Sequence, residues 1–462
     1  MKVNLKNSDS DDKSFTYVSN LKKNIVKNEF KLNLSKLFTL NDYALAENLT
    51  ASLIREDVSS PRGYRGVLAE NWVYDKTLKS LVFKIHRNIK WSDGSNLNPK
   101  DLVNHLNTFH KEIAPLHIKE LTKLTNWIFD DKTSTLQIKT EPQSVKKLLY
   151  ELSTPDAALS SSSWSKTLGA YFVNSVKKEK NQVELSLNPF FVNYEESSPK
   201  TVFIKHLESS YPKQESDLTS LKGDFYYAPP LSVKSEFIQI AEKKGYKAKR
   251  GDKNFVNFLV LPLKMKKEAR LQLYSLICSL KNNIPKEEFS NRALAPAWQM
   301  FSLGYNGRLE NLKTNTCSTL KEFSNLTNLD LVDGNNSSKS GEFEFFFKEL
   351  EKKGLKFNII KKENFSEKSL FLYSYMGNPK EHHISWNFLA NSVFETHYKE
   401  FKKSHNGLEY DKFHMYLIEN HFAIPLFFFS MTYLISNKID KIEKMDPYNM
   451  AIYFNKFHLN KK

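Results

Sequence analysis

Phe83-Lys-Ile-His-Arg-Asn-Ile-Lys-Trp91-Ser-Asp-Gly94, running on through Asn98-Pro99-Lys100-Asp101, is the stretch on which the fold turns. Upstream, Trp72-Val-Tyr74 and Leu81-Val-Phe-Lys-Ile85 are strand-like runs on either side of the turn-rich Asp75-Lys-Thr-Leu-Lys79, which predicts a hairpin. Asp93-Gly94 supplies the next turn. Asn98 then suits an N-cap, Pro99 the first helical position, and Asp101 the positive end of the helix dipole. The helix that follows carries Leu102, Val103 and Leu106 on one face.

Working outward, short strand-like and helical runs alternate from Phe15 onward, which predicts a mixed α/β architecture. Thr201 to His206 reads as a strand, and Asn254 to Leu263 as an extended crossing segment ended by Pro262. Glu268 to Lys281 has helical spacing through Leu271, Leu273, Tyr274, Ile277 and Leu280. Leu329 to Val332, Glu342 to Lys353 with Gly354 as its cap, and Leu355 to Ile360 predict a βαβ unit of the right-handed kind, beyond a polar loop at 334 to 340. The longest apolar run, Phe422 to Ile435, contains Pro425 and is too short to span a bilayer, so it reads as a buried strand.

At 462 residues the chain exceeds what one hydrophobic core serves, so two or three lobes are expected. With 40% apolar and 13% aromatic residues it is not a disordered protein. The formal charge of +16 is spread along the whole length and forms no basic stripe interleaved with aromatics, so no nucleic-acid partner is expected. Cys278 and Cys317 are the two cysteines; a disulfide and two buried thiols are both open, since pairing depends on spatial geometry. The first residues show no apolar h-region, so either the chain is cytoplasmic or the sequence is that of a mature exported protein. Residues 1–14 are polar and are expected to be a flexible N-terminus.

The ordered landmarks resemble family 5, the peptide and nickel class of extracellular solute-binding proteins that serve ABC importers. Asn48-Leu-Thr-Ala-Ser-Leu53 and Leu68-Ala-Glu-Asn-Trp72 stand where that family has similar blocks, and Phe83 to Gly94 followed by Asp101 is the most specific match. Leu168-Gly-Ala-Tyr171, Asn188-Pro-Phe-Phe191, Lys222-Gly-Asp224, Arg270, Gly354-Leu-Lys-Phe357 and Ile424-Pro-Leu426 keep the family's order. The resemblance implies a two-lobed periplasmic-binding-protein fold of type II, in the large peptide-binding class. Its lobe I would run over 15–254 and 429–462 with an extra subdomain at about 50–165, and lobe II over 255–428. A ligand would lie in the cleft, with crossing segments near 251 to 263 and 425 to 435 acting as the hinge.

The family's peptide binders hold a free amino group with an aspartate in the second lobe, and the matching stretch here is Leu372-Tyr-Ser-Tyr-Met-Gly-Asn-Pro379. Tyr375 and Asn378 occupy the two positions, and the first acid afterwards is Glu381. A buried ammonium needs a charged partner, so amine capture of that kind is not expected. Tyr373, Tyr375 and Trp386 suit an aromatic cleft wall, although a place in the lobe core explains the same residues. Tyr43, Asn257 and Asn378 complete the candidate ligand-binding set. Trp91 belongs to a strand-to-turn landmark and is expected to be structural.

His382 and His383 beside Glu381 would point to opposite faces of a strand and supply at most one ligand, so neither a metal nor another cofactor is expected. Gly-x-Ser-x-Gly, His-Glu-x-x-His and phosphate-cradling glycine loops are absent, which argues against an enzyme. The expected function is the substrate-binding component of an ABC importer. It would be a periplasmic or membrane-anchored extracytoplasmic monomer that captures an oligopeptide or similar polar solute for a membrane permease. A cytosolic ligand sensor, or an interaction protein whose cleft has degenerated, is the alternative on the same fold.

Overall fold

The structure is a computed structural model. It describes residues 13–19, 25–26, 29–32, 40–57, 60, 62–108, 127–161, 164–206, 223–228, 235–250, 255–291, 294–298, 328–333, 341–360, 369–376, 395–404, 410–429, 432–442 and 452–460.

Two large sheets organise the chain. The first is seven-stranded, in the order Tyr171–Lys177, Gln182–Leu187, Thr201–His206, Ser14–Ser19, Phe225–Ala228, Thr432–Ser436, Tyr246–Arg250. Its strand Ser14–Ser19 lies parallel to both neighbours, and Phe15, Tyr17 and Val18 are all buried, as expected for a strand covered on both faces. The edge strand Tyr246–Arg250 carries Lys247, Lys249 and Arg250, charges that discourage a further strand from pairing there. From the last described segment, Phe457 stacks on Phe15 and Phe454 meets it edge-on in the same core. The first lobe is therefore discontinuous and draws on both ends of the chain.

The second sheet is six-stranded, in the order Leu294–Pro296, Ala423–Phe429, Phe255–Val260, Leu370–Met376, Leu329–Asp333, Phe357–Ile360. On strand Phe255–Val260, Val256, Phe258 and Val260 pack with Phe401, Phe413 and Leu417 of the helices Glu395–Ser404 and Tyr410–Glu419. The alternate residue Leu259 joins the cluster that holds Leu273, Ile277, Phe346 and Leu350 of the helices Lys267–Asn283 and Gly341–Lys352. The expected βαβ unit is present: Leu329–Asp333 and Phe357–Ile360 pair in parallel, and Gly354 ends the intervening helix at φ +90°.

A smaller four-stranded sheet, in the order Ala69–Asp75, Ser80–Ile85, Thr135–Lys139, Trp127–Asp130, holds the opening sequence. The hairpin pairs Trp72 with Phe83, and Asp75 Oδ1 accepts the backbone N–H groups of Thr77 and Leu78 in its turn. Asn98 caps the helix Pro99–Thr108 through Lys100 N–H, at 2.9 Å from Asn98 Oδ1. In the Trp91-Ser-Asp-Gly94 turn, Gly94 takes φ +83° and Asp93 accepts from the backbone N–H and hydroxyl of Ser95. Those bonds, with the ammonium of Lys166 at 3.1 Å, hold the Asp93 carboxyl below its usual range. Ser92 and Thr167 bond each other reciprocally, and Trp91 is buried in the core. The landmark thus ties the four-stranded sheet to the segment at Lys166 and Thr167 that leads into the first sheet.

Two expectations change. The apolar run Phe422 to Ile435 is not one strand: Ala423–Phe429 belongs to the second sheet and Thr432–Ser436 to the first. Each half is buried on both sides, so the sequence stays apolar across the passage between sheets. Leu271, placed on the apolar face of the long helix, is 37% exposed, and the buried face runs instead through Leu273, Leu276, Ile277 and Leu280. Cys278 on that helix is buried and disulfide-bonded; the other cysteine of the sequence, Cys317, lies outside the described residues. Among the described residues no helix is long and apolar enough to cross a membrane.

Candidate functional site

Strand direction locates the cleft. In the first sheet the parallel strands end at Ser19, His206 and Ala228, and Ala228 and Arg250 both pair with Thr432. In the second, the parallel strands end at Asp333, Ile360 and Met376, and Met376 lies opposite Phe255, which also pairs with Phe429. The chain leaves the first sheet after Arg250, enters the second at Phe255, and returns between Phe429 and Thr432. Both sheets therefore turn the carboxyl ends of their parallel strands toward the same two crossings, where open α/β sheets bind ligands.

Asn257 is the third residue of the strand entering from that crossing. It is 0% exposed, and neither its Nδ2 nor its Oδ1 has a hydrogen-bond partner among the described residues. An unpaired buried amide costs about 1–3 kcal/mol per group, so an asparagine in this state is a candidate for polar contact with a ligand. Its cross-strand neighbours are Ser374 and Phe427.

The strand opposite Asn257 is irregular. Asn257 pairs with Phe427 but Phe258 with Pro425, so Leu426 is the extra residue of a bulge. The freed carbonyls are both taken: Leu426 O by Ala297 N–H at 3.0 Å, and Pro425 O by the ammonium of Lys281 at 2.7 Å. Lys281 Nζ also donates to Ala297 O at 2.7 Å and stands 3.9 Å above the Trp298 ring. Lys281 is 3% exposed, and burial pushes its pKa well below the ordinary lysine value. The sequence reading missed this residue, although a lysine four positions after Ile277 on an apolar helix face was the available signal.

Tyr373 and Tyr375 lie on the strand beside Asn257, at register positions opposite Phe258 and Val256, so Ser374 rather than either tyrosine is the one paired with Asn257. Tyr43 is on a separate element, the helix Leu40–Leu49. That helix is anchored by Asn48, whose amide bonds Ala44 O, Ile452 O and Phe454 N–H, and by Glu47, which pairs with buried Arg55 at 3.1 Å. Asn378 and Trp386 lie outside the described residues, as do Glu381, His382 and His383. The described residues thus place Asn257, Tyr373 and Tyr375 on adjacent strands, with the two tyrosines at register positions of the opposite sheet face from Asn257. They contain no group of three or more His, Cys, Asp or Glu side chains placed to hold a metal ion.

No protein-family model matches the sequence, and no curated protein sequence matches it. Solved structures do match. NikA from Brucella suis in complex with Fe(III)-EDTA superposes with a TM-score of 0.73 at 13% identity, covering 97% of this chain and 100% of that one. A dipeptide binding protein from Pseudoalteromonas sp. SM9913 in complex with Met-Leu gives 0.71 at 12% identity, over 97% and 100% of the two chains. The chain has the two-lobed fold of the ABC-transporter substrate-binding proteins. The murein tripeptide binding protein MppA of Escherichia coli shares it, with a TM-score of 0.67 at 13% identity over 97% of this chain and 99% of that one. This substrate-binding-protein fold accounts for the two sheets, the paired crossings and the return of the C-terminal segment to the first core.

Proposed function

We propose that the protein is the non-catalytic substrate-binding component of an ABC importer, as its similarity to family 5 implies. It captures an oligopeptide or similarly sized polar solute between its lobes and presents it to a membrane permease outside the cytoplasm. Lobe I comprises residues 15–254 and 429–462, with the subdomain at about 50–165, and lobe II comprises residues 255–428. Tyr43, Asn257, Tyr373, Tyr375, Asn378 and Trp386 contribute to the ligand site. The observation that carries this reading is the unpaired, fully buried amide of Asn257 at the cleft end of the second sheet. An amide offers one acceptor and two donor hydrogens, which suits the peptide groups of a peptide or another neutral polar ligand. The buried disulfide-bonded Cys278 supports an oxidising compartment.

The test combines scattering with one substitution. Added to the full chain, a panel of di- to tetrapeptides should contain members that lower the radius of gyration, because closure buries the ligand. Asn257→Leu should weaken binding of those members at least tenfold while leaving the ligand-free melting temperature unchanged or raised. A panel that never changes the scattering, or a leucine variant that binds as well as the parent, would refute the reading.

A further inference from the structure

The four-stranded subdomain contains a cavity of about 340 Å³ that, among the described residues, is lined by residues 85–89, 97, 102, 129, 131, 132 and 134 and by none of the crossing strands. Its volume falls in the range of about 300–1,000 Å³ usual for small-molecule sites. Ile85, Ile89, Leu97, Leu102 and Phe129 give it an apolar floor. Arg87 and Lys132, both exposed, stand at its mouth with His86, against one carboxylate, Asp131.

Its walls are braced from within the chain. Ile85 N–H donates to Ser134 O at 2.9 Å, Arg87 Nη2 to Lys132 O at 3.4 Å, and Lys84 Nζ to Thr133 O. Asp130 closes the hairpin turn by accepting from Lys132 N–H at 2.9 Å and the Thr133 hydroxyl at 2.7 Å. Asn88 and Ser134, one in each rim loop, take the left-handed conformation at φ 63° and 52°. A rim held this way loses little freedom on binding. Among the described residues Lys132 interacts electrostatically with Asp130 without a close ion pair, and the Arg87 guanidinium makes the one long bond above.

We propose that this cavity is a second ligand site, distinct from the cleft, that takes a small amphipathic monocarboxylate. The apolar tail lies against Ile85, Ile89, Leu97, Leu102 and Phe129, and the carboxylate lies toward Arg87 and Lys132. The guanidinium fork suits a planar carboxylate, and Asp130 and Asp131 partly offset Lys132 and Arg87, which disfavours a phosphate dianion.

Calorimetry on the full chain with 4-phenylbutyrate tests the proposal, with 4-phenyl-1-butanol and phenethylamine as the uncharged and cationic counterparts. The acid should bind at least tenfold more tightly than the alcohol, and the amine should not bind. Arg87→Glu with Lys132→Glu should weaken the acid at least tenfold without moving the melting temperature, since both side chains are exposed. Leu97→Trp, which fills the cavity from a half-buried position, should abolish binding. Asn257→Leu should leave it unchanged. Acid binding that is lost with Asn257→Leu and kept in the charge-reversed variant would place the probe in the cleft and overturn the proposal. Equal binding of acid and alcohol, or no binding at all, would also overturn it.

Discussion

Asn48 and Asn257 are both fully buried asparagines, yet their amides have opposite fates. Asn48 spends its polar atoms on Ala44 O, Ile452 O and Phe454 N–H, joining residues some 400 positions apart; Asn257 spends none. A sequence shows two asparagines in apolar settings and cannot separate them, because the partners of Asn48 arrive only when the C-terminal segment folds back. His105 is a third residue-scale case. It is half-buried with Nε2 at 3.3 Å from Ala157 O, and burial lowers its pKa below the usual histidine value. The unfolded chain therefore takes up the proton first as pH falls below about 6.5. The stability from neutral His105 is present above that pH and is lost as pH falls toward the folded-state value. His105→Gln should flatten the decline of melting temperature on acidification from about pH 6.5, and an identical decline would assign it to other groups.

At the scale of the element, the strand Ala423–Phe429 is held by a helix it does not pair with. Pro425 has no N–H, its neighbour Leu426 bulges, and the buried ammonium of Lys281 joins Pro425 O to Ala297 O. Lys281→Met should leave two carbonyls without a donor and destabilise the protein by about 2–6 kcal/mol in urea unfolding, at about 1–3 kcal/mol per unsatisfied group. A loss well under 1 kcal/mol would show that water replaces the ammonium. The hairpin before Trp91 and the Asn98 cap were legible because each depends on nearby residues, and the βαβ unit because its strand, helix and strand follow one another in sequence. The division of Phe422 to Ile435 between two sheets was not, since strands covered on both faces look alike in composition whichever sheet they join.

Across the whole molecule, the ends of the chain meet in one core. Phe454 packs at 5.6 Å from Phe15, 5.0 Å from Tyr17 and 6.2 Å from Tyr171, ring centroid to centroid. Phe454→Ala should cost about 3–5 kcal/mol by leaving a cavity where three segments converge. Calorimetric unfolding should show the loss in the transition of the first lobe; an unchanged transition would mean the C-terminal segment is not integral to it. The same long-range closure brings Arg250, Phe255, Phe429 and Thr432 to the ends of the two sheets where the proposed cleft lies.

The sequence by itself determined the α/β class and the turn and cap at Trp91 to Asp101, and the order of its landmarks carried the family resemblance. Those features rest on local backbone preferences and on apolar periodicity, which neighbouring residues specify. Only the tertiary structure decided that Asn257 is buried without a partner, that Lys281 closes a bulge, and that the subdomain encloses a cavity. Each of these depends on which polar atoms remain unpaired after distant strands have met, and no local pattern in the chain encodes that.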